Sequence, residues 1–434
     1  MKNKNLKAKV KKSNALFAKV SKVIPLASQT FSKSHLQWAQ GVAPLFITHG
    51  KGSRVWDVDG NEYIDFINGL LPVILGYQYK AVDDAIKHQL KKGIIFSLPS
   101  PLEYELAELL IKHIPCAEMV RFGKNGSDVT TGAVRLARAI TGRDHIAACG
   151  YHGWHDWYIG STARHLGVPK STRAMTHSFV YNDISSLERI FKKHKNKVAA
   201  VIMEPMNYSE PQNNFLQKVK TLARKHGALL IFDEIITGFR FDIGGAQKYF
   251  GITPDLATFG KSMANGMPIA ALVGQKKYMR AVDDIFYSFT FGGECLSLAA
   301  AVATIREMEK KKVIPYLWHL GQILKDRTNM LVAHYKLGDI ISVVGKPPWQ
   351  IFLISSTDSV SDLEIKSYIQ QELLKKGFLW FGQHNISFTH TKKDVNNLLD
   401  AYDKIFGRMK VLLENNSLKS SLEGKPITNI FKVR

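Results

Sequence analysis

A lysine and an aspartate, each placed just after an apolar run, carry the most specific chemistry in this sequence. The run 228–232 ends in Asp233, and the run 256–259 is followed by Gly260 and Lys261. An apolar run that ends abruptly in an acid is typical of a buried strand that delivers a carboxylate to its carboxyl edge. Pyridoxal 5′-phosphate (PLP) needs an amine for a Schiff base and an anion beside its pyridine nitrogen. Taken alone, Lys261 would fit an ordinary loop and Asp233 would fit a helix cap. The order of the two residues along the chain favours a PLP site instead.

A phosphate site is predicted where Gly126 and Ser127 precede the helical pattern at 129–140. The start of a helix offers backbone N–H groups and the positive end of the helix dipole, and Ser127 adds a hydroxyl. The same Gly-Ser-Asp sequence is equally good as a helix cap, so capping alone stays open as an alternative.

An aromatic loop follows the predicted strand 146–149. Tyr151 offers a ring on which a planar cofactor can stack, although aromatic side chains packed within the loop would give the same pattern. His152 adjoins it and is included among the cofactor-binding residues. The spacing of His152 and His155 lacks partners of matching geometry, so we expect no metal here.

Two more loops at strand ends each carry a polar side chain suited to binding a ligand. Glu204 follows the apolar run 198–203 and precedes Pro205, which stops the strand; Thr290 lies in a glycine-containing loop at 288–294. An ordinary strand-ending acid and a turn threonine are the plain alternatives. Because open α/β sheets bind ligands at the carboxyl ends of their strands, we expect these loops to converge on one site.

The pattern of elements supports such a sheet. Between about residues 115 and 300, continuous apolar strands alternate with helices, which indicates a mostly parallel α/β sheet. A hairpin is predicted at 53–66 around Asp-Gly-Asn, and residues 298–335 are predicted as one long helix or two. The short strands and helices of 336–412 indicate a smaller α+β domain.

The composition excludes several classes of protein. The chain has 434 residues, 45% of them hydrophobic, and a net charge of +22. The lysines are scattered and do not interleave with aromatic residues, so we expect no nucleic-acid partner. No apolar stretch approaches the roughly 18 residues of a membrane span, and residues 1–12 form a basic segment without the apolar region of a secretory signal. The three cysteines lack CxxC spacing, which indicates a reducing cytoplasm and neither disulfides nor a zinc site.

These motifs, in this order, resemble those of the class III, fold type I PLP-dependent aminotransferases, and among them the glutamate-1-semialdehyde 2,1-aminomutases. The resemblance implies an α/β PLP-transferase fold, with a mostly parallel sheet in the major domain and a smaller α+β domain. We expect residues 1–75 to form an N-terminal arm and part of the small domain, 76–325 the PLP-binding major domain and 326–434 the C-terminal small domain. The stretches that carry the resemblance are 56–65, 74–76, 135–138, 151–153, 204–205, 233–240 and 260–261.

The resemblance also implies a role for each site residue. Lys261 would hold the cofactor as a Schiff base, Asp233 would pair with the protonated pyridine nitrogen, and Glu204 would lie near the cofactor's O3′ and the substrate. Thr290 would contact the phosphate of the neighbouring subunit, which implies a homodimer. The full set of predicted cofactor-binding residues is Gly126, Ser127, Tyr151, His152, Asp233, Lys261 and Thr290.

Two departures from the aminomutases bear on the substrate. Where those enzymes have an arginine that grips the substrate carboxylate, this sequence offers Lys33, a point charge without the bidentate fork. The loop 161–176 is shorter than their gating loop and is rich in basic residues. We therefore expect a transaminase that moves an amino group from a donor, glutamate, to a small carbonyl acceptor such as a sugar of a surface-polysaccharide pathway. The alternatives are the aminomutase reaction itself and, from another class, a non-catalytic or nucleic-acid-binding protein.

Overall fold

The structure is a computed structural model that describes residues 6–428, so the first five residues of the predicted basic segment lie outside the described residues. The chain divides into two units. The first comprises residues up to Leu70, Ile74–Tyr79 and residues from Pro315 onward, and the second comprises Leu71–Val73 and Lys80–Ile314. The sequence-based domain boundaries at 76 and 325 stay a prediction.

Helices occur along the whole described chain, and several begin at a side chain that caps them. Ser100, Ser361 and Thr391 each accept a hydrogen bond from a backbone N–H of the first turn. Within residues 6–428 the helices are α1 (Leu6–Lys9), α2 (Lys11–Val20), α3 (Lys80–Leu90), α4 (Pro101–His113), α5 (Gly126–Thr141), α6 (Asp156–Ile159), α7 (Lys170–Arg173), α8 (Ile184–Lys193), α9 (Phe215–Lys225), α10 (Gly245–Phe250), α11 (Lys276–Met279), α12 (Cys295–Lys310), α13 (Val313–His334), α14 (Asp362–Lys375) and α15 (Lys392–Glu414).

In the described part of the chain the strands form three sheets, two in the first unit and one in the second. In chain order they are β1 (Ile47–Lys51), β2 (Arg54–Asp57), β3 (Glu62–Asp65), β4 (Met119–Gly123), β5 (His145–Cys149), β6 (Thr176–Ser178), β7 (Val198–Met203), β8 (Leu229–Asp233), β9 (Leu256–Phe259), β10 (Ala270–Gly274), β11 (Ile341–Lys346), β12 (Trp349–Ile354), β13 (Phe378–Leu379) and β14 (Gln383–Asn385).

The sheet of the second unit has the strand order β4-β10-β9-β8-β7-β5-β6. From β9 to β6 all neighbours are parallel, which confirms the predicted mostly parallel sheet. Strand β10 runs antiparallel to both β9 and β4, a feature not predicted from the sequence. The reason is the short connection from β9 to β10, since a parallel return needs a crossover of a dozen or more residues, usually a helix.

The core of this unit forms where helix α5 packs on the sheet. Strands β7, β8, β9 and β10 are buried at every position, as expected for strands covered on both faces. Val129, Leu136 and Ala137 of α5 are fully buried in one cluster with Ile202 and Ile231 of the strands. This packing fixes the amino terminus of α5 relative to the carboxyl ends of β7 and β8.

The first unit has the predicted α+β character. The expected hairpin is confirmed: β2 and β3 are antiparallel, and the Asp57 carboxylate accepts hydrogen bonds from the backbone of Asp59 and Asn61 in the turn. Strand β13 extends this sheet in parallel to β3, while β11, β12 and β14 form the other sheet.

Among residues 6–428, no helix combines the length and apolar character that crossing a membrane requires.

Gly132 tests how tightly α5 is packed. A Cβ atom at this position would lie 2.3 Å from Cε2 of the buried Tyr287 ring, and overpacking of this kind costs about 1–3 kcal/mol. We therefore expect Gly132→Ala to lower the apparent Tm, measured by differential scanning fluorimetry. Gly338→Ala is the control, because nothing lies within 4 Å of the position that its new methyl group would occupy. Equal Tm values for the two variants would contradict the prediction.

Candidate active site

Four parallel strands bring the predicted site together at their carboxyl ends. Glu204 follows β7, Asp233 ends β8, Lys261 follows β9 by one glycine, and Tyr151 follows β5. These residues border one cavity of about 290 Å³. Its lining residues are Pro72, Lys124, Asn125, Gly126, Ser127, Thr130, Tyr151, His152, Gly153, Glu204, Asp233, Ile235, Ile236, Lys261, Gly266, Met267, Pro268 and Ile269.

The Asp233 carboxylate is buried, with 3% of the residue exposed, and is held by three donors. One oxygen accepts from Nδ1 of His152 at 2.8 Å. The other accepts from the backbone N–H of Ile235 at 3.1 Å and from the hydroxyl of Thr258 at 3.4 Å. A buried carboxylate held by hydrogen bonds offers a fixed negative group to a cation in the cavity.

His152 supports this carboxylate and is itself buried. Its backbone oxygen accepts from Oγ1 of Thr130 at 2.9 Å, which ties the loop to α5. Its Nε2 has no hydrogen-bond partner among residues 6–428. With Nδ1 directed at Asp233, the ring is oriented by the acid and belongs to the wall of the cavity.

Lys261 begins a short 3₁₀ turn, Lys261–Ala264, in which its backbone has a φ of +41°. This left-handed conformation is strained for a residue with a side chain. Burial lowers the pKa of the Lys261 amine, while the carboxylates of Asp233 and Glu204 act in the opposite direction. A lowered pKa increases the fraction of neutral, nucleophilic amine at neutral pH.

Glu204 and Tyr151 form another side of the cavity. Oε2 of Glu204 accepts from the backbone N–H of Tyr151 at 3.1 Å. Burial, and next the charge of Asp233, raise the pKa of the Glu204 carboxyl. The ring of Tyr151 meets that of Tyr158 edge-on, with centroids 5.7 Å apart. The structure thus places an acid of raised pKa next to a half-exposed aromatic ring.

The amino terminus of α5 borders the cavity through Gly126 and Ser127. The Ser127 hydroxyl accepts from the backbone N–H of Trp154 at 3.3 Å. Gly153 approaches it so closely that an added Cβ would lie 2.2 Å from Oγ of Ser127. This helix spans 16 residues, and its first turn offers N–H groups and a dipole that favour an anion.

Two predicted site residues, Thr290 and Lys33, are not among the residues that line this cavity. Thr290 is exposed in the loop before α12 and does not line this cavity in the described chain. Lys33 belongs to the first unit, where it lines a different cavity of about 280 Å³ together with Asp65 and Tyr77. The hydroxyl of Tyr77 donates to the buried carboxyl of Asp65 at 2.6 Å. The roles given to Thr290 and Lys33 stay predictions.

Arg240 was assigned no role from the sequence alone, although it lies within one of the stretches that carry the resemblance. Arg240 is fully buried and donates from Nη2 to the backbone oxygen of Leu71 at 2.8 Å and to Oγ of Ser262 at 3.3 Å. Ser262 directly follows Lys261, so the guanidinium fixes the turn that carries the amine. The position of Arg240 between Phe239 and Phe241 was the sequence signal that could have indicated a buried arginine.

The residues of the cavity fit PLP. The cofactor needs an amine, an anion for its ring nitrogen and a phosphate site. Lys261, Asp233 and the first turn of α5 supply these groups around a single cavity. The close approach of Gly153 to Ser127 is an independent sign, since a side chain at position 153 would collide with the residue predicted to hold the phosphate.

Comparisons with known proteins agree with this chemistry. The sequence model of the family described as aminotransferase class-III matches residues 37–401. The chain is 36% identical to 3-aminobutyryl-CoA aminotransferase of Cloacimonas acidaminovorans, over 94% of this chain and 99% of that protein. It is 35% identical to glutamate-1-semialdehyde 2,1-aminomutase of Acetivibrio thermocellus, over 92% of this chain and 98% of that protein.

A solved structure gives the same result for the fold. The FumI protein of Sphingopyxis sp. MTA144, in its PLP internal aldimine form, superposes with a TM-score of 0.86 and 29% sequence identity. The match covers 95% of this chain and 98% of that chain. The predicted PLP-transferase fold is thereby confirmed.

Gly153 provides a test of the phosphate site. Gly153→Ala would push the new methyl into Ser127, and we expect PLP to bind at least about tenfold more weakly, a change of about 1.4 kcal/mol. Absorbance titration of the apoprotein with PLP measures this. Gly167→Ala is the matched control, because Gly167 also has a positive φ, +88°, but has nothing within 4 Å. Unchanged PLP affinity in Gly153→Ala would rule out this site for the phosphate.

Proposed function

This chain belongs to the class-III aminotransferase family, and we propose that it transfers an amino group from glutamate to a small carbonyl acceptor that carries anionic or several polar groups. Enzymes of this class use PLP, so the predicted cofactor and enzyme class are confirmed. One observation carries the proposal: an amine, a buried carboxylate and a helix terminus border the same cavity.

When bound, PLP stabilises the electron pair left behind as a proton leaves the substrate carbon. In the proposed reaction Asp233 keeps the pyridine nitrogen protonated, since a buried carboxylate favours a cation beside it. His152 orients that carboxylate through the 2.8 Å hydrogen bond from Nδ1. Gly126 and Ser127 would hold the phosphate at the start of α5.

Lys261 is proposed to have two tasks. Its amine would hold the cofactor covalently through the cofactor's carbonyl carbon, and as a free amine it would move the proton of the substrate carbon. A lowered pKa suits both tasks, because each requires the neutral amine. Arg240 and Ser262 hold the turn on which this amine moves.

Glu204 and Tyr151 are proposed to act on the remaining faces. Tyr151 would pack against the cofactor ring, and Glu204 would lie near the cofactor's O3′ and the substrate. The raised pKa of Glu204 favours its protonated form, which donates a hydrogen bond without adding a second negative charge near Asp233.

The acceptor is proposed from charge. The segment 161–176 carries Arg164, Lys170 and Arg173, the first two exposed, and the net charge of the chain is +22. A basic surface raises the local concentration of anionic substrates. A keto-sugar or a nucleotide-linked sugar meets this requirement for an anionic or polar acceptor. The name of the Cloacimonas relative suggests a CoA thioester as a further acceptor of this kind.

Glutamate-1-semialdehyde aminomutation is the second candidate, because relatives of that name align over nearly the whole chain. We favour the transaminase because Lys33 stands where the aminomutases have an arginine that grips the substrate carboxylate. Lysine cannot reproduce the orientation that an arginine fork gives to a carboxylate.

We further propose that two copies of the chain form the functional unit. Thr290 lies outside the cavity of its own subunit and is exposed. In the proposed homodimer it contacts the phosphate bound by the partner.

The reaction itself is proposed to take place in the cytoplasm.

Lys261→Ala is expected to abolish transamination while the protein stays folded, because no other amine replaces the covalent attachment. Borohydride reduction of the wild-type holoenzyme followed by peptide mapping is expected to place the pyridoxyl group on Lys261. The control is Lys276→Ala, which removes an exposed lysine at the start of α11. A label on another lysine would refute the assignment.

The two candidate reactions differ in their need for a donor. We expect glutamate to change the visible absorbance of the holoenzyme, and a suitable carbonyl acceptor to restore it. Glutamate-1-semialdehyde supplied alone is expected to give no 5-aminolevulinate above the rate of Lys261→Ala. Formation of 5-aminolevulinate at an enzymatic rate would replace the transaminase with the aminomutase.

A further inference from the structure

Three histidines meet at the amino-terminal edge of the sheet in the second unit. His145 is the first residue of β5, His177 is the middle residue of β6, and His194 directly follows α8. All three are partly buried. They come from separate elements, so their spacing along the chain is no sign of a common site, and no metal was predicted from the sequence.

The geometry of the three rings is that of a cluster. Nδ1 of His145 lies 2.7 Å from Nε2 of His177. The centroid of the His194 ring lies 4.6 Å from that of His145 and 4.0 Å from that of His177. One ring nitrogen from each histidine lies within 4.8 Å of the other two.

We propose that His145, His177 and His194 bind one Zn²⁺ ion per chain. Imidazole nitrogen is a preferred zinc ligand, and three protein ligands with one open position are an established arrangement for this metal. Tetrahedral zinc with Zn–N bonds of about 2.0–2.1 Å places its ligand nitrogens about 3.4 Å apart. The three rings are stacked, with interplanar angles of 16°, 29° and 20°, so each would have to rotate about its side-chain bonds to direct a nitrogen at the ion.

The proton balance of binding is simple. The 2.7 Å contact between His145 and His177 holds one shared proton. When the cation takes this place, the neutral ring that donated the proton changes to its other tautomer, with that proton on the nitrogen that faces away from the ion. Binding to neutral rings therefore requires no oxidant and no net release of protons.

The surroundings determine the fourth ligand. Lys193, Lys197 and Arg138 lie close enough to act on these histidines, and Asp144 opposes them at His145. Three neutral imidazoles leave the ion with its full double charge beside these ammonium groups. An exchangeable anion, chloride or hydroxide, is therefore the proposed fourth ligand, since it reduces the local positive charge.

The site is separate from the catalytic chemistry. His145 and Cys149 mark the two ends of β5, so four residue steps, about 13 Å, separate the histidines from the edge that carries Tyr151. The ion would join the start of β5 and the middle of β6 to the end of α8. We assign it a structural role that does not depend on the proposed transamination.

The test is a titration of the full-length, tag-free holoenzyme with Zn²⁺ in isothermal calorimetry. We expect one equivalent per chain with a Kd of about 10 μM or tighter, and at least about tenfold weaker binding in His177→Ala and in His194→Ala. His226→Ala is the matched control, because His226 is also partly buried but stacks on Phe191 outside the cluster. It is expected to bind Zn²⁺ as the wild type does.

A spectroscopic measurement covers the case in which a variant fails to fold. Co²⁺ added to the wild-type holoenzyme is expected to give the intense visible bands of a four-coordinate ion, which Zn²⁺ then displaces. A weak six-coordinate spectrum, no stoichiometric binding, or equal affinity in folded His177→Ala and wild type would each overturn the proposal.

Discussion

A carboxylate buried at the end of an apolar strand must be hydrogen-bonded, and the arrangement of the site depends on meeting this need at Asp233. The three donors come from different parts of the second unit: His152 from the loop after β5, Ile235 from the turn after β8, and Thr258 from β9. Satisfying one acid thus fixes two neighbouring loops and a strand. An unpartnered charge at this position would cost several kcal/mol, so the site and the stability of the sheet edge are linked.

Parallel strands explain why so much of the site could be predicted. Strands β7 and β9 have the predicted bounds, and the polar residues that follow β7, β8 and β9 meet because parallel strands end at the same edge. Continuous apolar runs mark such strands clearly. The gathering of Glu204, Asp233 and Lys261 around one cavity follows from strand ends alone.

Other features depend on contacts that local patterns do not record. The partner of Asp233, His152, is 81 residues away in the chain. Helices α6 and α7 have four residues each, too short for periodicity to reveal. The direction of β10 was missed because an apolar run has the same pattern in either direction. Lys33 was chosen from the family resemblance alone. Thr290 was chosen as a hydroxyl in a glycine-containing loop, and its role across a subunit interface came from the resemblance.

The backbone of Lys261 shows where this protein gives up stability for chemistry. A left-handed φ of +41° in a non-glycine residue costs about 1–2 kcal/mol, and glycine would adopt it freely. Arg240 and Ser262 hold the turn in place despite this cost. Selection for stability alone would therefore favour glycine at position 261, a change that would also remove the amine. The fold and the reaction therefore place opposing demands on this one residue.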